Sequence, residues 1–194
     1  FADNHGPLIR QNRFADNDVN GLVVRGAKLS VESVWDDTDI VHVLQSEIIV
    51  DYHHTFSGLK LQSAVDESLV IKLAGSTAGF TADGVPLDVD DRIGGTVQIL
   101  GRPDFPVVLT ALNDHEVGAG LRPDGLPQNF TIPGPAGGNN PAVSGSWRSI
   151  QFNQYSNDRN VRTILENEKA NNTGVDVNGT PGSAQNLGEL AKDL

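Results

Sequence analysis

The apolar residues of this 194-residue chain occur in short, largely β-branched runs separated by Gly, Asn, Asp and Pro. They do not recur at the three- and four-residue spacing of an amphipathic helix, so the pattern predicts many short β-strands. The clearest runs cover residues 22–24, 29–34, 40–44, 48–50, 59–61, 69–73, 97–100, 107–109 and 150–152. The chain is therefore predicted to be all-β.

Some of these runs repeat along the chain. Similar segments begin at Gly21, Gly58 and Gly95, at intervals of 37 residues, and a fourth copy is predicted at residues 146–152. Such a repeat is typical of a solenoid, because one coil of two or three strands buries its inward side chains only when coils stack and like strands pair in parallel. The repeat predicts about four coils. The alternative is an antiparallel β-sandwich with evenly spaced strands.

Two segments carry a family resemblance. Residues 12–24 read Asn-Arg-Phe-Ala-Asp-Asn-Asp-Val-Asn-Gly-Leu-Val-Val, which resembles the N-x-F-x-x-N-x-x-x-G-[IL]-x-[VI] coil signature of right-handed parallel β-helix proteins. Residues 145–152 resemble the strands of bacterial β-helix surface proteins. The resemblance implies a right-handed parallel β-helix over residues 1–165, in a secreted or cell-surface bacterial protein. The expected location is therefore extracellular or at the cell surface.

The end of the chain differs in character. Residues 168–173 and 183–190 resemble the entry sequence of the bacterial pre-peptidase C-terminal domain. This implies that residues 166–194 are a polar linker that leads to a following module. Neighbouring modules of the same chain are then the first partners to expect.

Composition and charge exclude several classes of function. The chain contains no Cys, so disulfides, thiolate metal sites and thiol redox chemistry are ruled out. A net charge of −11 argues against binding to the phosphate backbone of a nucleic acid. The apolar runs are far shorter than the roughly 20 residues needed to cross a bilayer, so no membrane insertion is expected. Nucleotide-binding glycine motifs are also missing.

Two acidic clusters are candidate metal sites. Closely spaced carboxylates in turns suit Ca²⁺, which prefers hard oxygen ligands, although Asp in turns commonly serves only to shape the backbone. Calcium is thus a possible cofactor, and no cofactor is required. The candidate calcium ligands are Asp36, Asp37 and Asp39 in one cluster and Asp88, Asp90 and Asp91 in the other.

A long segment rich in Gly, Pro and Asn, at about residues 111–145, is predicted to be a loop insertion in the solenoid. Insertions in solenoids concentrate on one face and build the binding surface there. Candidate ligand-binding residues in this loop are Arg122, Asp124, Asn129 and Phe130, with the Phe130 ring as a stacking platform for a sugar.

These patterns together predict a non-catalytic structural, adhesion or assembly module. The alternative is a polysaccharide-binding or polysaccharide-degrading β-helix, a lyase or hydrolase. A degrading enzyme requires that two or more acidic residues line one groove together with Arg92 or Arg148. Carbohydrates and like subunits are the remaining candidate partners, the latter because an open end of a β-helix presents unpaired strand edges.

Overall fold

The computed structural model describes residues 8–51, 58–84, 94–133, 143–154 and 156. Eleven strands and no helix lie in these ranges. The strands are β1 (Leu22–Val24), β2 (Lys28–Leu29), β3 (Ser33–Trp35), β4 (His42–Leu44), β5 (Glu47–Val50), β6 (Gly58–Gln62), β7 (Leu69–Leu73), β8 (Gly75–Ala82), β9 (Thr96–Leu100), β10 (Val107–Ala111) and β11 (Trp147–Phe152). The prediction of an all-β protein is confirmed for the described part of the chain.

The strands form three parallel sheets. Sheet A has the order β1-β4-β7-β10, sheet B the order β11-β8-β5-β2, and sheet C the order β3-β6-β9. Successive strands join the three sheets in rotation, so each strand pairs in parallel with the strand three places along the chain. This topology is consistent with a parallel β-helix or solenoid. The alternative of an antiparallel sandwich is wrong for these strands.

The 37-residue repeat is only partly confirmed. Gly58 in β6 lies opposite Thr96 in β9, which agrees with the repeat to within one residue. The run at Gly21 is instead β1 of sheet A, and the run at residues 146–152 contains β11 of sheet B. In sheet A, Leu22 lies opposite His42, which is 20 residues further along the chain. The repeat is irregular because the corners between strands vary in length. The order of pairing does not vary, since each strand still pairs with the strand three places along the chain.

Two further strand predictions need correction. The predicted run at residues 29–34 is divided between β2 and β3, which lie in different sheets with a corner between them. The sequence pattern also missed β8, the longest strand described, because Gly, Ser, Thr and Ala occupy most of its positions.

The main core lies between the three sheets. Inward-facing residues of the middle strands β4 to β8 are almost fully buried, among them Leu44, Leu61, Ile71 and Phe80, whereas most of those of the outer strands β1, β2, β10 and β11 are partly buried. Aromatic rings from all three sheets meet in this core: Trp35 of sheet C stacks on His42 of sheet A at 5.3 Å, and its ring meets Phe80 of sheet B edge-on at 5.8 Å. These contacts join the inner faces of the sheets.

The middle strands of sheet A, β4 and β7, are buried on their outer face as well. Val41, Val43 and Val70 form a second apolar cluster with partly buried residues from outside the strands, including Leu112 and Val117. These two residues belong to a strandless stretch that follows β10. We call residues 112–131 the covering segment. It provides the cover that the nearly continuous apolar run of β7 requires.

Candidate functional site

A buried lysine attaches the covering segment to sheet A. Lys72 points outward from β7 and has no exposed surface. Its Nζ donates to the backbone carbonyl oxygens of Asp114 at 2.6 Å and Asn129 at 3.0 Å. One ammonium group therefore holds both ends of the covering segment. It also provides a hydrogen-bond donor for two backbone carbonyls that lie outside the strands and so have no partner in a sheet.

The charges around Lys72 are arranged to tolerate its burial. Burial lowers the pKa of Lys72 to about 8, and the nearby carboxylate of Asp114 acts against this shift. Burial of Asp114 acts to raise its own pKa, but hydrogen bonds from Thr110 and the Glu116 amide, together with Lys72, bring the pKa below its usual value. Thr110 lies opposite Lys72 in the β7–β10 register, so the sheet itself places these groups together.

Substitution of Lys72 by methionine is expected to loosen the covering segment. Methionine fills a similar volume but donates no hydrogen bond, so two buried carbonyls lose their partner and the free energy of unfolding falls by roughly 2 kcal/mol. Hydrogen exchange of the amides in residues 112–131 should accelerate more than exchange in sheet C. Lys60→Met, at a half-buried position on β6, is the matched control. Unchanged exchange in the covering segment would contradict the role assigned to Lys72.

The far end of the covering segment carries a partly exposed aromatic ring. Phe130 is 48% exposed on one side and packs on the other against His115, with ring centroids 4.8 Å apart. His115 is buried, and neither of its ring nitrogens has a hydrogen-bond partner. Burial and the positive charge of Lys72 lower the pKa of His115. A neutral imidazole thus supports the Phe130 ring from below and leaves its outer side accessible.

Phe130 lies in a pocket of about 330 Å³ that opens to solvent. One wall comes from the turn before β1 and the other from the covering segment. We call this the Phe130 pocket, and its polar and aromatic residues are Asp16, Asn17, Asp18, Asn20, Arg122, Gln128 and Phe130. It combines an exposed ring with carboxylate, amide and guanidinium groups, which is the set of groups that binding sites for polar ligands use.

Hydrogen bonds between the two walls fix the pocket. The backbone nitrogen of Asn20 donates to the backbone carbonyl of Thr131 at 2.7 Å, and its side-chain nitrogen Nδ2 donates to the backbone carbonyl of Phe130 at 3.4 Å. From the opposite wall, Gln128 donates to the carbonyl of Phe14 at 2.8 Å. Asn20 also accepts a hydrogen bond from the amide nitrogen of Asn17, which closes the turn.

The structure brings together two of the four predicted loop residues. Arg122 and Phe130 line the pocket. Asp124 forms an ion pair with Arg122, with Nη2 and Oδ2 3.0 Å apart, and so acts on the pocket through that residue. Asn129 is not among the lining residues, and its backbone carbonyl accepts a hydrogen bond from Lys72.

Sequence reasoning missed the residues of the other wall. Asp16, Asp18 and Asn20 lie within the coil signature of residues 12–24, a few positions before β1, and the sequence analysis predicts no ligand-binding role for them. The available signal was the local pattern Asp-Asn-Asp-Val-Asn-Gly, which places polar side chains at alternate positions of one turn. Nothing in that pattern indicates that residues more than 100 positions later form the facing wall.

The first acidic cluster has a structural role in this fold. Asp37 accepts a hydrogen bond from the backbone amide of Ile9 at 3.0 Å, and Asp39 accepts one from that of Gln11. Burial raises the pKa of Asp37. Together with Asp36, these residues line a polar pocket of about 300 Å³. The carboxylates of Asp37 and Asp39 therefore hold the segment that precedes the first strand.

Calcium binding stays a prediction. No group of three or more His, Asp or Glu side chains in the described ranges is arranged to hold a metal ion. The second predicted cluster, Asp88, Asp90 and Asp91, lies outside the described residues, as do Arg92 and the predicted linker at residues 166–194.

Arg148, the other cation that a degrading enzyme would use, is not among the residues that line the pocket of the first acidic cluster. Its guanidinium forms an ion pair with Glu47 and a hydrogen bond with Thr81 on sheet B. The pKa of Glu47 is lowered mainly by the hydrogen bond from Thr81 and, to a smaller extent, by the contact with Arg148. Arg148 thus links strands β5, β8 and β11 on the outside of the sheet.

No protein-family model, no curated protein and no solved structure matches the chain. Within the described residues, no helix has the length and apolar character needed to cross a membrane.

Proposed function

We propose that the chain is a non-catalytic carbohydrate-binding module that serves in adhesion, and that the Phe130 pocket is its binding site. The observation that carries this proposal is the 48% exposed Phe130 ring, which lies beside amide, carboxylate and guanidinium groups in one pocket. The face of an aromatic ring packs against the C–H groups of a sugar, and the polar groups around it bind the hydroxyls.

The pocket is suited to binding because its parts are held in place without a ligand. Phe130 rests on His115, and the two walls are joined by the hydrogen bonds of Asn20 and Gln128. A preorganised site loses little conformational freedom when a ligand binds, so weak contacts to a sugar yield measurable affinity. Arg122 is restrained in the same way by Asp124.

We further propose that the three sheets form a right-handed parallel β-helix of about four coils. The rotation of successive strands among the sheets supports coiling in one direction, and crossovers between parallel strands are almost always right-handed. A stack of this kind is rigid along its axis, which suits a module that presents a binding site at a distance.

The biological setting follows from the resemblance of residues 145–152 to the strands of bacterial β-helix surface proteins. We place the module in a secreted or cell-surface bacterial protein, outside the cell. Its partners are then carbohydrate, the neighbouring modules of the same chain and, through unpaired strand edges, like subunits.

Substitution of Phe130 by alanine is expected to weaken carbohydrate binding by about tenfold, the loss that corresponds to one well-packed aromatic contact. Oligosaccharides that bind the chain are first found on a glycan array, and their affinity is then measured by isothermal titration calorimetry. Phe152→Ala removes an aromatic side chain of similar exposure, 54%, on β11 and should leave the affinity unchanged.

Three outcomes decide between the proposal and its rivals. Equal loss of binding in both variants, or no binding of any oligosaccharide to the unmodified chain, would contradict a site at Phe130. New reducing ends in the incubated oligosaccharide would identify a degrading enzyme instead. Loss of binding when Ca²⁺ is chelated would show that the ion belongs to the site.

A further inference from the structure

We propose that the Phe130 pocket selects glycans that carry positively charged amino groups and rejects glycans that carry carboxylates. The inference rests on the proposed function, since it names the ligand class of the same site. Its basis is the balance of charges in the pocket. Asp16 and Asp18 line it, both are exposed, and neither forms an ion pair or hydrogen bond with another described residue.

The one cation among the described lining residues does not offset these carboxylates. Arg122 is engaged by Asp124 at 3.0 Å, so its charge is already balanced by a group of opposite sign. The pocket and the Arg122–Asp124 pair together therefore have an excess of two negative charges, and the net charge of the whole chain is −11. A uronate-bearing glycan is repelled both on approach and in the pocket.

An amino sugar fits the same groups. Its ring packs on Phe130, and its ammonium group pairs with the exposed carboxylates of Asp16 and Asp18. Such an ammonium group donates three hydrogen bonds, and carboxylates are acceptors without a competing donor. A neutral sugar keeps the stacking and hydroxyl contacts but loses the ion pairs, so its affinity lies between those of the other two classes.

The test compares three oligosaccharides of equal length by isothermal titration calorimetry at low salt. They are a β-1,4-glucosamine tetramer, its N-acetylated form and a galacturonate tetramer. The glucosamine tetramer is expected to bind about fivefold more tightly than the N-acetylated form, and the galacturonate tetramer more weakly than both. Because surface ion pairs are screened, the preference should shrink as salt is raised.

A double variant, Asp16→Asn with Asp18→Asn, is expected to abolish the preference for the glucosamine tetramer while changing the affinity for the N-acetylated form less than twofold. Asp66→Asn with Asp104→Asn removes two exposed carboxylates outside the pocket and serves as the charge-matched control. This control should retain the preference, because the distant charges act only through the screened field of the whole chain.

The outcomes separate this inference from the proposed function. If the three tetramers bind equally, or if the control variant loses the preference as fully as the pocket variant, the charge selection is wrong while carbohydrate binding stands. If the galacturonate tetramer binds most tightly, the pocket prefers carboxylates over ammonium groups and the proposed charge selection is wrong. If none of the tetramers and no other glycan binds the unmodified chain, the proposed function itself fails.

Discussion

Replacement of Phe80 by alanine should lower the free energy of unfolding by about 3–5 kcal/mol, the range for removal of a fully buried aromatic ring from a core. Phe80 has no exposed surface, and its ring meets Trp35 edge-on. It lies in β8, with Ile48 of β5 on one side and Ile150 of β11 on the other. The cavity left by the substitution therefore borders three strands of sheet B and the facing sheet.

Urea denaturation followed by tryptophan fluorescence measures this effect, since Trp35 reports directly on the core beside Phe80. Phe152→Ala, at an aromatic position of β11 that is 54% exposed, is the control and should cost less than about 1 kcal/mol. If Phe80→Ala is no more destabilising than the control, the central position of β8 in the core is wrong.

Acid should also destabilise the fold through His42. Its side chain is 1% exposed and stacks on Trp35, and burial lowers its pKa from 6.5 to about 4. In the unfolded chain His42 takes up a proton as the pH falls below 6.5, whereas in the folded chain it stays neutral until about pH 4. The stabilisation is thus complete above pH 6.5 and is lost as the pH falls from 6.5 to 4. The loss amounts to about 3 kcal/mol.

His42→Phe is the variant that isolates this effect, because phenylalanine can keep the stacking on Trp35 but does not titrate. Urea denaturation at several pH values between 4 and 7 should show a shallower decline in stability for the variant than for the unmodified chain. Asp37, Glu47 and His115 also have shifted pKa values, but they are shared by both proteins and cancel in the difference. Parallel pH profiles would exclude His42 as the titrating group.

The sequence predicted the fold class and most strands because the apolar runs mark inward-facing positions directly. It did not predict β8, whose first five residues read Gly-Ser-Thr-Ala-Gly. A physical reason is visible at Gly79, where any side chain would overlap the backbone carbonyl of Ser149 in β11. The small residue permits close approach at the irregular register between these strands, and no hydrophobic period encodes such a requirement.

Only one wall of the candidate site was predicted from the sequence. Phe130 and Arg122 stood out because large and charged side chains in a Gly- and Pro-rich loop seldom serve packing. Asp16 and Asp18 did not stand out, because carboxylates in a turn have a local explanation that is sufficient without a ligand. Lys72 is the opposite case: a lysine within an apolar strand run indicates an exposed outer face, yet the covering segment buries it.

Because of the covering segment, the geometry of the Phe130 pocket depends on the number of strands in sheet A. The covering segment runs from the end of β10 back to the turn before β1, so that Asn20 bonds to a residue 110 positions later in the chain. The two walls of the Phe130 pocket thus come from opposite edges of a four-stranded sheet. In a regular solenoid each coil contacts only the coils next to it. Here an added coil would move the two walls of the pocket apart, and a deleted coil would bring them together. The number of strands in sheet A therefore sets the width of the pocket. A nascent chain likewise has no pocket until the last strand of that sheet has docked.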